Sequence, residues 1–293
     1  MSATTIESLQ TEGRNCNPQK AGFTLIELSI VLVIIGLIVG GVLVGQDLIK
    51  AAEIRATISQ YEKYNAALNT FRTKYDGMPG DLLYTTANSF AINPTAGSLT
   101  SAAGDGNGLI ESTATTNYNL PLRENVLIWQ QLNMANLVDG SYGTDLTVAG
   151  APAVTTPSTY LPAAKLGRGN YWAVGSAGGL NHYALINPTA FAAAGASYTV
   201  ATGGGVTPIE AFNIDSKLDD GMPNTGIVRA KGETASAATA DAFFPDAVYG
   251  TASLAGATAT CTTCNATSST STNTYNRATY GNTPSCALRL RFN

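Results

Sequence analysis

The chain has 293 residues, of which 16 are Lys or Arg and 20 are Asp or Glu, so its formal net charge is -4. Charged residues make up 12% of the chain, about half the fraction of an average soluble domain. Because there is no basic surplus, the composition argues against a protein that binds nucleic acid. The single His, His182, excludes metal sites with two imidazole ligands and argues against most catalytic designs that pair Ser or Cys with His.

The segment 23–45 is almost entirely apolar and reads FTLIELSIVLVIIGLIVGGVLVG, with Glu27 as its one charged residue. As an α-helix it would be about 34 Å long, enough to cross a bilayer core of about 30 Å, and we predict that it spans a membrane. The preceding segment, 1–22, is polar, and no small-residue cleavage site follows the apolar run, which argues against an ordinary secretory signal peptide. Lys20 favours a cytoplasmic leader, with the chain from Gln46 onward on the outer side.

Glu27 needs a physical explanation, because a carboxylate inside a bilayer costs a few kcal/mol. One interpretation places it near the helix end, hydrated by lipid headgroups. The other gives it a charged partner, which cleavage after Gly22 would create as the new amine of Phe23.

The string from Ala21 to Leu28, AGFTLIEL, closely resembles the processing and methylation motif of type IV prepilins and type II secretion pseudopilins. The resemblance implies that a prepilin peptidase cuts between Gly22 and Phe23 and methylates the Phe23 amine. It also implies that Glu27 neutralises that amine on an adjacent subunit. The implied partners are other copies of the chain or other pilins, the peptidase, membrane lipid before assembly, and an inner-membrane assembly platform with its motor.

The segment 46–77 has the pattern of an amphipathic helix that continues the first, and Gly77 and Pro79 are expected to end it. Its apolar side chains recur at steps of three and four residues, which predicts one buried stripe that seats a globular head. The stripe comprises Ile54, Ile58, Tyr61, Tyr64, Leu68, Phe71 and Tyr75.

The remaining segment, 78–293, is predicted to form the head. A helix is expected over 122–138, with Pro121 at its start and Gly140 after its end. Short alternating runs predict strands at 170–174, 182–186, 226–228 and 286–292, the last half-buried, and His182 is expected to be a structural strand residue. Small, polar stretches at 143–165, 190–208 and 233–285 are expected to be surface loops. The order of elements predicts an α+β, pilin-like fold, with an antiparallel sheet laid on the long helix.

Three cysteines, Cys261, Cys264 and Cys286, follow the apolar helix, whereas Cys16 lies in the leader. On the outer side of a membrane, either Cys261 or Cys264 could pair with Cys286, and the resemblance to pilins, whose heads often carry a C-terminal disulfide loop, points the same way. The alternative is a Cys-x-x-Cys redox or zinc site, for which His182 is the one imidazole.

Two acidic turns are candidate calcium sites, although Asp-Gly and Asn-Gly pairs also form ordinary turns. The first offers oxygen ligands at alternating positions in a fragment of a calcium loop, and the second clusters three carboxylates. Their residues are Asp105, Asn107 and Glu111, and Asp215, Asp219 and Asp220. No other cofactor is expected, and the sequence contains no HExxH, P-loop or G-x-S-x-G motif.

We interpret the chain as a structural subunit of a type IV pilus-like filament or a type II secretion pseudopilus, and not as an enzyme. It is expected to cross the inner membrane once, with its head in the periplasm, before it enters an extracellular filament or a periplasmic pseudopilus. An alternative is a minor pilin whose large head is an adhesin or ligand-binding module. A membrane-anchored enzyme is a third hypothesis, which the missing motifs disfavour.

Overall fold

The computed structural model describes residues 22–92, 104–110, 124–143, 157–177, 179–191, 198–200, 205–232, 264 and 274–292. The chain divides into two compact units, Met1–Ile49 and Lys50–Asn293. The helix α1, Leu25–Tyr75, is the first element and contributes to both units.

The large hydrophobic side chains along the apolar half of α1 are exposed. The exposed fraction is 89% for Leu25 at one end and 60% for Ile49 at the other. By length and composition this is a helix that could cross a membrane. The helix is continuous through Gly36, Gly40 and Gly41. In lipid, backbone N–H and C=O groups must be hydrogen-bonded within the protein, and a continuous helix meets this requirement.

The second half of α1 carries the buried stripe that the sequence predicts. Six of its seven members are buried, and Ile58 is partly buried against the same core. The helix ends at Tyr75 because Asp76 adopts a left-handed backbone with φ of 52°. The next residue is Gly77, and the absence of a side chain there leaves room for the side chain of Leu82.

A four-stranded antiparallel sheet forms the head in the order β1-β2-β6-β5. The strands are β1, Tyr171–Ala177; β2, Leu180–Ile186; β5, Val228–Gly232; and β6, Cys286–Arg291. A half-buried last strand was the wrong prediction, since β6 lies between β2 and β5 and is buried on both faces. Arg289, on the face expected to be solvated, is 7% exposed.

Besides one short 3-10 helix, Pro157–Thr159, the described part of the head has five further helices or strands before β5. They are α2, Tyr84–Ser89; α3, Glu124–Met134; the strand pair β3, Pro188–Phe191, and β4, Tyr198–Val200; and α4, Pro208–Leu218. The helix α3 ends four residues before the predicted end at Val138, because Asn136 takes a φ of 58° and Asn133 donates its side-chain N–H to the Val138 and Gly140 carbonyls. A last short helix, α5, Arg277–Tyr280, precedes β6.

Two of the stretches expected to be surface loops contain ordered structure. The stretch 190–208 contributes to β3, β4 and the start of α4, and within 143–165 the side chains of Tyr160, Leu161 and Ala164 are buried. Most of 233–285 lies outside the described residues. The small residues in these stretches predicted loops. The ordered structure there depends on contacts with distant segments, which local periodicity does not reveal.

Tyr183 of β2 joins α1 and α3 to the sheet through an aromatic cluster. Its ring centroid lies 5.7 Å from that of Tyr61, 6.2 Å from those of Tyr64, Trp129 and Trp172, and 4.3 Å from that of Phe292. The long helix is thus packed on the sheet as a pilin-like α+β fold predicts.

Gln60 of α1 supplies the polar counterpart of the aromatic cluster. Its side-chain amide donates to the Tyr64 hydroxyl and the Ala163 carbonyl, at 2.8 and 2.9 Å. Its side-chain oxygen accepts from the Trp172 indole and the Lys165 backbone, both at 2.9 Å. Every donor and acceptor position of one amide is used, which fixes the rotation of α1 against β1.

Candidate processing and assembly site

The first turn of α1 holds the candidate processing and assembly residues. The Thr24 backbone N–H and hydroxyl both donate to Glu27 Oε2 at 2.8 Å, and the Glu27 backbone N–H donates to Thr24 Oγ1 at 3.3 Å. This is a capping box, in which the N-cap residue and the third helical residue satisfy each other's backbone donors. Sequence reasoning missed the role of Thr24, although the T-x-x-E spacing signals it.

Gly22 and Phe23 precede the helix in an open backbone segment. No described atom would lie within 4 Å of a Cβ added at Gly22, and Phe23 is 86% exposed. The fold of this chain therefore places no demand for a small residue at Gly22. The peptide bond between the two residues lies outside α1, which begins at Leu25.

The prokaryotic N-terminal methylation motif matches residues 17–43. The chain carries the N-terminal motif typical of type IV pilins and pseudopilins. No match was found among curated proteins or among solved structures. The motif supports a pilin-like precursor, implies prepilin peptidase processing and assembly with other pilins, and indicates a structural subunit more than an enzyme.

The matched motif and the single N-terminal apolar helix are consistent with a membrane-anchored pilin-like precursor. The capping box gives the Glu27 carboxylate hydrogen-bond partners within its own chain, and the residue is exposed. The positive end of the helix dipole also favours a carboxylate at this position. Residues 1–21, including Cys16, lie outside the described part of the chain.

A disulfide joins Cys264 to Cys286, with the two Cα atoms 5.2 Å apart. This decides between the two pairings that the sequence left open, and Cys261 lies outside the described residues. With its sulfur bonded to Cys286, Cys264 offers no free thiolate for the alternative zinc site. The bond anchors the chain before α5 to the first residue of β6, which pairs with Val206.

Replacing both Cys264 and Cys286 by Ala is expected to lower the free energy of unfolding by about 3 kcal/mol. The disulfide joins residues with a sequence separation of 22 and so lowers the conformational entropy of the unfolded chain. Without the bond, the unfolded chain regains this entropy and becomes more favourable. Denaturant unfolding of the full chain in detergent, followed by tryptophan fluorescence, measures the change. A Cys261→Ala variant is the matched control, and a loss there as large as in the double variant would contradict the assigned pairing.

The second predicted calcium cluster is assembled in the structure. One carboxylate oxygen from each of Asp215, Asp219 and Asp220 lies within 4.8 Å of the others. Each carboxylate also holds part of the chain: Asp215 accepts from the Tyr275 hydroxyl at 2.7 Å, Asp219 from the Ile227 backbone, and Asp220 from Thr225. The cluster therefore has a structural role of its own, and calcium binding there stays a prediction.

The first predicted calcium loop is placed in part. Asp105 accepts from the backbone and side-chain N–H groups of Asn107, both at 3.0 Å, as an ordinary turn would, while Glu111 lies outside the described residues. The structure instead brings Asp81 and Glu124 to Asp105, and sequence reasoning missed both. Asp81 binds the turn by accepting from the Gly106 and Gly108 backbone, at 2.8 and 2.6 Å.

Calcium binding by the Asp215 cluster, which comprises Asp215, Asp219 and Asp220, is expected to stabilise the folded head. For a dissociation constant of about 100 µM, 5 mM calcium would add about 2 kcal/mol and raise the melting temperature by several degrees relative to EGTA. Differential scanning calorimetry of the full chain tests this, with Asp220→Asn as the variant that should lose the effect. An equal rise in melting temperature in wild type and variant would exclude this cluster as the calcium site.

In EGTA, the Asp215 carboxyl is expected to make stability depend on pH. Burial, the largest cause, raises its pKa to about 6, with Asp220 and Asp219 adding to the shift, so its stabilising contribution is complete below about pH 4 and lost as pH rises through 6. The shift equals about 3 kcal/mol, and solvent around the neighbouring acids reduces the expected change to about 1 to 2 kcal/mol. Unfolding free energies of wild type and Asp215→Asn, measured from pH 4 to 7.5, should diverge by that amount in favour of the variant, and parallel curves would contradict it.

His182 lies in β2 and is buried, as a structural strand residue should be. Burial, followed by the charge of Arg289, lowers the pKa of its imidazole to about 3. The imidazole is therefore neutral at physiological pH.

Proposed function

We propose that the chain is a structural subunit of a type IV pilus-like filament or a type II secretion pseudopilus. The apolar half of α1 carries the proposal, because its side chains are exposed on every face and need either lipid or other apolar helices around them. In the membrane, lipid covers this surface. In the filament, the same helices of neighbouring subunits cover it.

Processing supplies the polar contact that orders this packing. The peptidase cuts between Gly22 and Phe23, and the methylated Phe23 amine becomes the chain's first group. Glu27 of one subunit then neutralises the amine of a neighbour, which removes an unpaired charge from the apolar core of the assembly. The assembly platform and its motor drive extraction from the inner membrane, and the heads, which lie in the periplasm before assembly, form the outer surface.

Fractionation separates the pilus from the pseudopilus. Cells that express the chain are sheared, and the sheared material is examined by electron microscopy and immunoblotting. A pilus subunit is the dominant protein of filaments in the sheared fraction, whereas a pseudopilin stays with the membranes. A chain found as a monomer in the membrane fraction even when its assembly system is overproduced would contradict both.

The alternative is a minor pilin whose head binds a ligand. Two observations favour this alternative. The head extends far beyond the matched motif, and a pocket of about 470 Å³ lies beside α1. Quantitative mass spectrometry of sheared filaments tests it, since a minor pilin is present at a small fraction of the major subunit.

A further inference from the structure

The turn 104–110 contains the one Asn-Gly pair of the sequence, Asn107 and Gly108. An asparagine before a glycine can react with its own main chain, because the nitrogen of the next residue lies close to the side-chain carbonyl carbon. Gly108 has no side chain to block the approach, and its φ of 85° is one that glycine adopts readily. Both residues are exposed, so water can reach them and ammonia can leave.

A buried carboxylate contacts the nitrogen that would attack. The Gly108 backbone N–H donates to Asp81 Oδ2 at 2.6 Å, and Asp81 is only 2% exposed. The other oxygen of Asp81 accepts from the Gly106 backbone N–H at 2.8 Å. Two donors of the same turn therefore hold this carboxylate in place, where it can take the Gly108 proton as the nitrogen attacks.

The side-chain carbonyl of Asn107 is held and polarised by the residue after Gly108. The Leu109 backbone N–H donates to Asn107 Oδ1 at 2.7 Å. This hydrogen bond is that of an Asx turn, which folds the side chain back over the Gly108 nitrogen. A fixed N–H donor aimed at a carbonyl oxygen also stabilises the negative charge that develops there during attack on the carbon.

The nitrogen that would leave has a carboxylate partner as well. Asn107 Nδ2 donates to Asp105 Oδ2 at 3.0 Å. One carboxylate oxygen of Asp105 lies within 4.8 Å of one of Asp81. A proton accepted by Asp81 can therefore be returned to the leaving group through Asp105.

We propose that the folded chain modifies itself at Asn107. A bond forms between the Gly108 nitrogen and Asn107 Cγ, and the Gly108 proton passes to Asp81. The bond between Cγ and Nδ2 then breaks, and Nδ2 leaves as ammonia with a proton from the pair of carboxylates. Water opens the resulting succinimide ring at one or the other of its C–N bonds, which gives aspartate or isoaspartate at this position. The sum of the steps consumes one water and releases one ammonia.

The modification would act on the attachment of this turn to the sheet. Asn181 of β2 accepts from the Ile110 backbone N–H at 2.9 Å and donates to the Gly108 carbonyl at 2.8 Å. Isoaspartate inserts a carbon into the main chain directly before Gly108, so these hydrogen bonds and the one to Asp81 cannot all keep their geometry. This self-modification goes beyond the structural role and does not require assembly.

The rate of ammonia loss at Asn107 tests the proposal. The full chain in detergent micelles and a synthetic peptide of residues 104–110 with blocked ends are incubated at physiological pH and temperature in EGTA. Mass spectrometry of proteolytic fragments follows the mass gain and the isoaspartate content over time. The folded chain is expected to react about tenfold or more faster than the peptide, because a positioned acid or base contributes about 10²- to 10⁴-fold.

Variants assign this acceleration to the turn. Asp81→Asn keeps an oxygen that can accept from Gly108 but removes the base, and it should slow the reaction about tenfold or more. Asp139→Asn is the matched control, because it changes an exposed carboxylate that pairs with Lys63 and should leave the rate unchanged. Asn107→Gln should abolish the mass gain in this fragment, which confirms the reacting residue.

Two results would overturn the proposal. The first is a folded chain that reacts no faster than the peptide, since the hydrogen bonds of the turn would then protect Asn107. The second is an unchanged rate in an Asp81→Asn variant that melts within a few degrees of wild type. If that variant does not fold, the comparison between the wild-type chain and the peptide decides alone.

Discussion

Replacing Glu27 by Gln is expected to remove the chain from filaments while leaving its cleavage intact. Gln keeps the length of the side chain and an oxygen for the Thr24 backbone, so the capping box survives. It cannot neutralise the Phe23 amine of a neighbour. An unpaired charge within packed apolar helices costs about 3 to 5 kcal/mol, which corresponds to a loss of incorporation of at least a hundredfold.

The measurement is the ratio of mature chain in sheared filaments to that in membranes, by quantitative immunoblotting. Thr24→Val is the matched control, because it breaks the capping box but leaves the Glu27 charge, and it should assemble within a few-fold of wild type. Normal filament content in Glu27→Gln would contradict the assembly role of the carboxylate.

Replacing Tyr183 by Ala is expected to lower the free energy of unfolding by about 3 to 5 kcal/mol, the range for truncating a buried aromatic side chain. The ring is fully buried and contacts aromatic side chains from α1, α3 and the sheet. Denaturant unfolding of the full chain measures the loss. Both tryptophans, Trp129 and Trp172, lie in this cluster and report on it directly.

Two phenylalanine variants separate packing from hydrogen bonding in the same cluster. The Tyr183 hydroxyl is buried without a hydrogen-bond partner among the described residues, so Tyr183→Phe should leave stability unchanged or raise it by about 1 kcal/mol. The Tyr64 hydroxyl accepts from Gln60, so Tyr64→Phe should cost about 1 kcal/mol. If both variants shift stability in the same direction, the assignment of these hydroxyl groups is wrong.

The regular parts of the fold could be predicted because their signals are local. The apolar run of 23–45 is continuous, the stripe from Ile54 to Tyr75 repeats at helical spacing, and AGFTLIEL is a contiguous motif. The strands β1, β2 and β6 were predicted to within a few residues at each end, because alternation is visible within each one. The presence of a capping box at Thr207 and Glu210 also signals α4, but the small residues before it favoured a loop.

The rest of the head depends on contacts between distant residues. Burial of Arg289 follows from the central position of β6, which the sequence of that strand alone does not reveal. The association of Asp81 and Glu124 with Asp105 joins three segments, so no short motif contains it. Spacing could not distinguish Cys261 from Cys264 either, because the two lie three residues apart and only the folded chain selects one.

The mature N-terminus is the most direct test of processing by a prepilin peptidase. The chain is isolated from membranes of cells that contain the prepilin peptidase, and its first peptide is sequenced by mass spectrometry. We expect a chain that begins with N-methylated Phe23, with Gly22 and the preceding residues removed. A chain that still begins near Met1 would contradict it, and the α+β head would then belong to a membrane-anchored protein of another kind.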